Sequence, residues 1–285
     1  MGDSMTDPLK EAKDGVVTEV IKAATENPQV REAGANLSQA ALTITKTINN
    51  ALLPLAALNF AVEKARTYFA ERFQAELLTK AAAIPVDEVV EPKASIAGPA
   101  LQGLAFAHEE PNLKDMYLSL LTTAMDGRVT GNAHPAFVEV IRQLESEEAR
   151  LLRTVLRSPG LLSIVDIRLA TVNPAGYRKL VRHVMNLCEI PSGTPFENPN
   201  LPAMVDNWIR LGLVEVEYGK YLTNEDAYAW VEGRPEYKRL KAEHETDTEK
   251  LIFERGVIGK TSFGSKFAGA AGLLDDAPAS SLIKK

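Results

Sequence analysis

Four histidines, His108, His134, His183 and His244, are the side chains best suited to acid–base or metal chemistry, and their spacing argues against a metal role. No two stand three or four apart, the separation that places two imidazoles on one helix face, and His108-Glu109-Glu110 lacks the second histidine of a zinc-protease motif. His134 precedes Pro135, where capping the start of a helix is the favoured role. The single cysteine, Cys188, excludes a disulfide scaffold and a multi-cysteine zinc site; following an apolar helix face, it reads as a small buried hydrophobe. Gly259-Lys260-Thr261 imitates the end of a phosphate-binding loop, yet position 254 is glutamate where that loop needs glycine. No Gly-x-Ser-x-Gly elbow occurs. The expectation is a protein with no cofactor, no metal and no catalytic residues, hence not an enzyme.

One basic group remains. Arg178, Lys179 and Arg182, next to His183, fall in a segment that reads as a helix over 175–187, with Arg178 and Arg182 on one face. They are candidate contacts for phosphates or for a partner. The formal charge of −6 on 285 residues argues against bulk capture of nucleic acid. All of that excess lies before residue 141, where 12 basic face 18 acidic residues, so the two halves differ as two domains would.

The elements that would position these groups are mostly helical. Residues 1–32 read as a partly disordered leader with no secretory signal. An all-α domain is expected over 33–143. Leu37, Ala41, Ile44 and Ile48 share one face, Pro54 interrupts, and a helix resumes over 55–83. Residues 84–92 read as an extended connector, helical spacing returns at Ser95, and Leu113 to Asp126 gives a strong helix. The uncharged run Thr47 to Val62 is too short to span a membrane and reads as core or an oligomer seam. From residue 144 to 272 the expectation is a winged-helix-like α+β unit. Helices are expected over 146–157, 161–170, 175–187 and 201–211, followed by a strand at 213–217 returning as a hairpin over 220–222. A charge-rich helix through 249, a strand or hairpin at 251–263 and a disordered tail from 273 complete the chain. The fold class is therefore mainly α, a helical bundle followed by a winged-helix-like unit with a short β-hairpin. The element that would enter a DNA groove, 201–211, carries only Asp206 and Arg210, and the hairpin adds Glu215 and Glu217, so nucleic-acid binding is disfavoured.

Several strings resemble the abortive infection alpha (Abi-alpha) family of bacterial proteins. They are Val90-Glu91-Pro92, Ser95-Ile96-Ala97-Gly98-Pro99, Pro99-Ala100-Leu101-Gln102-Gly103-Leu104 and Glu110-Pro111-Asn112-Leu113. Leu120-Leu121-Thr122-Thr123-Ala124-Met125-Asp126, His134-Pro135-Ala136-Phe137 and Gln143 through Ala149 continue the likeness. Thr261-x-Phe263-Gly264-x-x-Phe267 resembles the family's closing element, whereas Ala268 to Gly272 departs from it. The resemblance spans roughly residues 37 to 270. It implies a part in limiting bacteriophage infection and brings no known reaction or cofactor. Asp126 and His134 are the polar residues of the matching block and are flagged as candidate functional residues; as helix C-terminal acid and helix cap they have structural roles as well. The expected function is cytoplasmic phage defence through contacts with a phage or host protein, or through self-association into a homo-oligomer. The alternatives are a DNA-binding regulator using the second half, and a membrane-associated effector using residues 47–62.

Overall fold

The computed structural model describes residues 61–171, 176–189, 191–274 and 283. The leader, the 37–48 helix and nearly all of the 47–62 run lie outside the described residues. The chain divides into two compact units, Met1–Leu144 and Glu145–Lys285.

The described part of the first unit is helical: α1 (Ala61–Glu71), α2 (Phe73–Ala81), α3 (Ala94–Ala107), α4 (Pro111–Met125) and α5 (Pro135–Arg142). Helix α3 is built from Ala, Gly and Leu and buries most of its circumference, including Ile96, Ala100, Leu101 and Leu104. Its Gly103 lies so close to α4 that a Cβ there would fall 2.4 Å from the Tyr117 hydroxyl, which lets the buried Tyr117 ring cross the helix pair. Pro111 starts α4 where its missing N–H is not needed and its φ is already helical. No helix among the described residues is long and apolar enough to cross a membrane.

The second unit opens with α6 (Ser146–Arg157), whose start Glu148 fixes by accepting the Glu145 N–H at 3.2 Å. Beyond it the fold departs from expectation. The segments 161–170 and 175–187 are not helices but strands β1 (Leu162–Thr171) and β2 (Gly176–Val184). Helix α7 (Leu201–Arg210) leads, through Gly212 at φ +71°, into β3 (Val214–Glu217). Helix α8 (Pro235–His244), β4 (Glu249–Lys260) and α9 (Ser262–Ala270) follow. The strands form one curled antiparallel sheet, a half-barrel of order β2-β1-β4-β3. The unit is thus mixed α/β and not a winged helix: β3 pairs with the far end of β4, Val257 to Lys260, and Lys220 to Leu222 form no returning strand. The physical reason lies in β1, where Val165, Ile167 and Leu169 alternate with Asp166 and Arg168 at the strand period.

That alternation sorts the sheet's two faces. Val165, Ile167 and Leu169, with Leu251 of β4, pack on a core completed by Tyr228, Val231, Tyr237 and Leu240. Asp166 and Arg168 point to the other face, opposite Glu254 and Ile252 of β4. Helix α7 packs against both outer strands, β2 and β3. Ile283 is buried and bridges Leu187 in antiparallel fashion, so this position within the expected disordered tail is anchored.

Candidate functional site: a polar chain across the half-barrel

The expected site residues are held by local structure. Asp126, just after α4, accepts the Arg128 backbone N–H at 3.0 Å and its guanidinium at 2.9 and 2.7 Å. Those bonds, the guanidinium foremost, hold its carboxyl below the usual range. His134 caps α5, its Nδ1 accepting the Ala136 N–H at 3.1 Å, and its ring lies against Phe137. Replacing it by alanine is expected to cost roughly 0.5–1 kcal/mol, read as a small fall in the urea midpoint of the first unit.

Arg178, Lys179 and Arg182 sit on strand β2, not on a helix face. Arg178 is exposed, Lys179 donates to Asp166 at 2.6 Å, and Arg182 lies 3.6 Å from Asp206. The helical face that would have presented Arg178 and Arg182 together to phosphates does not exist.

The polar residues the structure does gather are others. Asp166, wholly buried on β1, takes the Lys179 ammonium on Oδ2 and the His183 backbone N–H on Oδ1 at 3.2 Å. Tyr218, the residue after β3, lies over Gly256 of β4, where a Cβ would come within 2.7 Å of its ring. The bare glycine lets the phenol cross the sheet to meet His183 Nδ1 at 2.9 Å, in the neighbourhood of the Asp166 charge. The far nitrogen of His183, Nε2, lies 3.2 Å from Asp206 Oδ1 on α7. His183 itself has φ +56°, the one non-glycine positive φ among the described residues. It falls at a bulge, where Val165 and Ile167 of β1 face Val184 and Val181 of β2. Asp206, His183, Tyr218, Asp166 and Lys179 thus form one chain of polar contacts across the half-barrel.

Its electrostatics follow from burial and partners. Desolvation is the largest influence on Asp166 and raises its pKa. The bonds from Lys179 and the His183 N–H, with the Tyr218 hydroxyl nearby, together overcome it and hold the carboxyl below the usual range. Desolvation, then the charge of Arg182, lowers His183 against the opposing pull of Asp206, so the imidazole is neutral at pH 7. Burial, then the neighbouring Asp166 carboxylate, raises Tyr218 and keeps it protonated. A carboxylate only accepts, so Asp206 requires the proton on His183 Nε2 and leaves Nδ1 to accept from Tyr218. Both ring nitrogens of His183 are thus committed to partners within the chain, Nε2 to Asp206 and Nδ1 to Tyr218.

A cavity of about 160 Å³ borders the chain on the His183 side, lined in part by Arg182, Leu187, Leu201, Glu197 and Glu236. In the first unit a shallow hollow of about 540 Å³ collects Lys64, Arg72, His108 and Lys114. Its cations are paired, Lys64 with Glu109 at 2.8 Å and Lys114 with Glu76 at 2.9 Å. Among the described residues no three His, Cys, Asp or Glu side chains gather as metal ligands. Cys188 is buried and in no disulfide.

Sequence reasoning missed Asp166 and Tyr218. The available signal was the five-residue alternation Val165-Asp166-Ile167-Arg168-Leu169, which marks a strand with acid and base on one face.

The described chain is a set of helices followed by an antiparallel half-barrel whose inner polar groups are bonded mainly to one another. Residues 63–271 match the family model described as abortive infection alpha, and the chain belongs to that family. No curated protein and no solved structure shows significant similarity to it.

Proposed function

We propose that the protein serves in bacteriophage defence in the cytoplasm, as a non-enzymatic component acting through contacts with a phage or host protein or through self-association. Family membership across residues 63–271 carries the reading. The site supports it: Asp166 and Lys179 are bound to each other, and Tyr218 and His183 face partners within the chain. Bond-making chemistry would need at least one of them turned toward a substrate.

The test is a plaque assay on cells with and without the expressed chain, paired with host growth after infection at high phage dose. Fewer plaques on expressing cells are expected. Early collapse of the infected culture would assign cell suicide, and survival would assign blocked replication. Equal plaque counts across a panel of phages would overturn the defence role.

A further inference from the structure

The two outer strands of the half-barrel carry opposite charge. β2 exposes Arg178, Lys179 and Arg182, and β3 exposes Glu215 and Glu217. Neither has a strand on its outer side among the described residues. Lys179 leans inward to Asp166 and Arg182 toward Asp206, while the exposed Arg178 sits opposite Leu169 of β1. On β3, Glu217 carries an exposed pair with Lys220 at 2.7 Å, and Glu215 is exposed beside it.

An open sheet edge is a template for another strand, and the charge on each edge decides which strand fits. Pairing β2 with β2 of a second copy would set cations against cations, and β3 with β3 would set acids against acids; like charges directly across a ladder are unfavourable. Pairing β2 of one copy with β3 of the next matches them. Strand direction agrees. All three pairings in the sheet are antiparallel, so β2 and β3, at opposite ends of a four-strand order, run in opposite directions. Arg178 lies level with Leu251 of β4 and Glu215 level with Gly259, so a second copy shifted along the strands by that separation meets the first as an antiparallel pair with these charges opposed.

We propose that the protein self-associates head to tail, the basic edge of β2 in one copy pairing with the acidic edge of β3 in the next. This rests on the self-association part of the function proposed above and names its surface. The contact is heterologous, so it does not close at a dimer by symmetry but extends as an open series or closes as a ring. β3 is only four residues long, so each contact is small and reversible, and assembly grows with local concentration. Its charges are exposed, so salt weakens it.

Sedimentation velocity on the full chain, over a concentration series at low and high salt, tests this. The expected result is a mass that climbs beyond dimer with concentration at low salt and falls back in high salt. Arg178→Glu and Glu215→Arg should each weaken association about tenfold or more while keeping the far-ultraviolet circular dichroism of the parent. Mixing the two variants, or combining them in one chain, should restore it, because each altered edge then meets an opposite charge. If the parent associates and the single variants associate equally well, the edges are not the interface, although self-association stands. A parent that remains monomeric at millimolar concentration and low salt overturns both.

Discussion

Replacing Arg234 by alanine is expected to remove about 3–5 kcal/mol from the stability of the second unit, the typical consequence of deleting one member of a buried ion pair. Arg234 is 1% exposed, at the start of α8. Its Nε donates to Glu236 Oε1 at 2.9 Å, Nη2 to the Phe196 carbonyl at 2.5 Å, and Nη1 to the Leu187 carbonyl. One planar cation therefore ties α8 to both ends of the 187–196 segment. Alanine would leave the buried Glu236 carboxylate and the Phe196 carbonyl without this donor and the Leu187 carbonyl with only the long Phe196 N–H bond, and Glu236 Oε2 already lacks a partner. Arg234→Lys should recover only part of the loss, because a single ammonium cannot span three acceptors in the guanidinium's fork geometry. Arg234→Met with Glu236→Leu should sit closer to the parent than Arg234→Ala does, since an apolar pair leaves no orphaned charge. Both tryptophans, Trp208 and Trp230, lie in this unit, so urea unfolding followed by their fluorescence reports it separately from the helical unit. An Arg234→Ala midpoint equal to the parent's would mean that the carboxylate finds water or another donor.

Much of the helical architecture was readable because its signals are local. Pro111 and Pro135 mark helix starts, and Gly212 ends α7 with a positive φ that a glycine adopts without strain. The closing Thr-x-Phe-Gly-x-x-Phe element also resolves into physical roles. Thr261 caps α9 by accepting the Gly264 N–H at 2.8 Å, and Phe267 is buried. Gly264 has no room for a side chain, since a Cβ would fall within 1.9 Å of the Leu213 carbonyl oxygen.

The β1–β2 hairpin was not readable, and the bulges explain why. The apolar residues of the second strand fall at Leu180, Val181, Val184 and Met185, a spacing that imitates a helix face. Register shifts between Ile167 and Arg168 and between Val165 and Ile167 insert extra residues into β2 and so erase its period of two. With that strand misread, the site could not be assembled. Asp166, His183, Asp206 and Tyr218 come from four separate elements and meet only through sheet register and the gap left by Gly256. Asp126 and His134, prominent in the sequence, serve a turn and a cap. Distinctive residue strings thus led to the joints of the fold and passed over its polar interior.

Asp166 offers the sharpest test of that interior. Asp166→Ala is expected to cost about 3 kcal/mol, since it strips the acceptor from the buried His183 N–H and the buried partner from Lys179, which can turn to water. Asp166→Asn, which keeps an oxygen for the His183 N–H, should cost about half as much. The variants should also change how stability depends on pH. In the parent, His183 is held below its usual 6.5 by burial and Arg182, so the unfolded chain binds that proton first and stability is lost as pH falls below about 6.5. Asp166 is held below its usual 3.8, its bonds outweighing its burial, so a second loss follows as pH falls below about 4. Glu148, raised by burial, slopes the opposite way in the carboxylate range, so the informative quantity is the parent's profile minus the variant's. Removing Asp166 should abolish the second loss. It should keep the first and extend it to lower pH, because the Asp166 charge is one of the influences that raise His183. Urea midpoints by tryptophan fluorescence from pH 8 to pH 3 would measure both limbs. A variant profile parallel to the parent's down to the lowest pH would show that Asp166 is not a bonded carboxylate in solution, and the polar chain across the half-barrel would lose its central member.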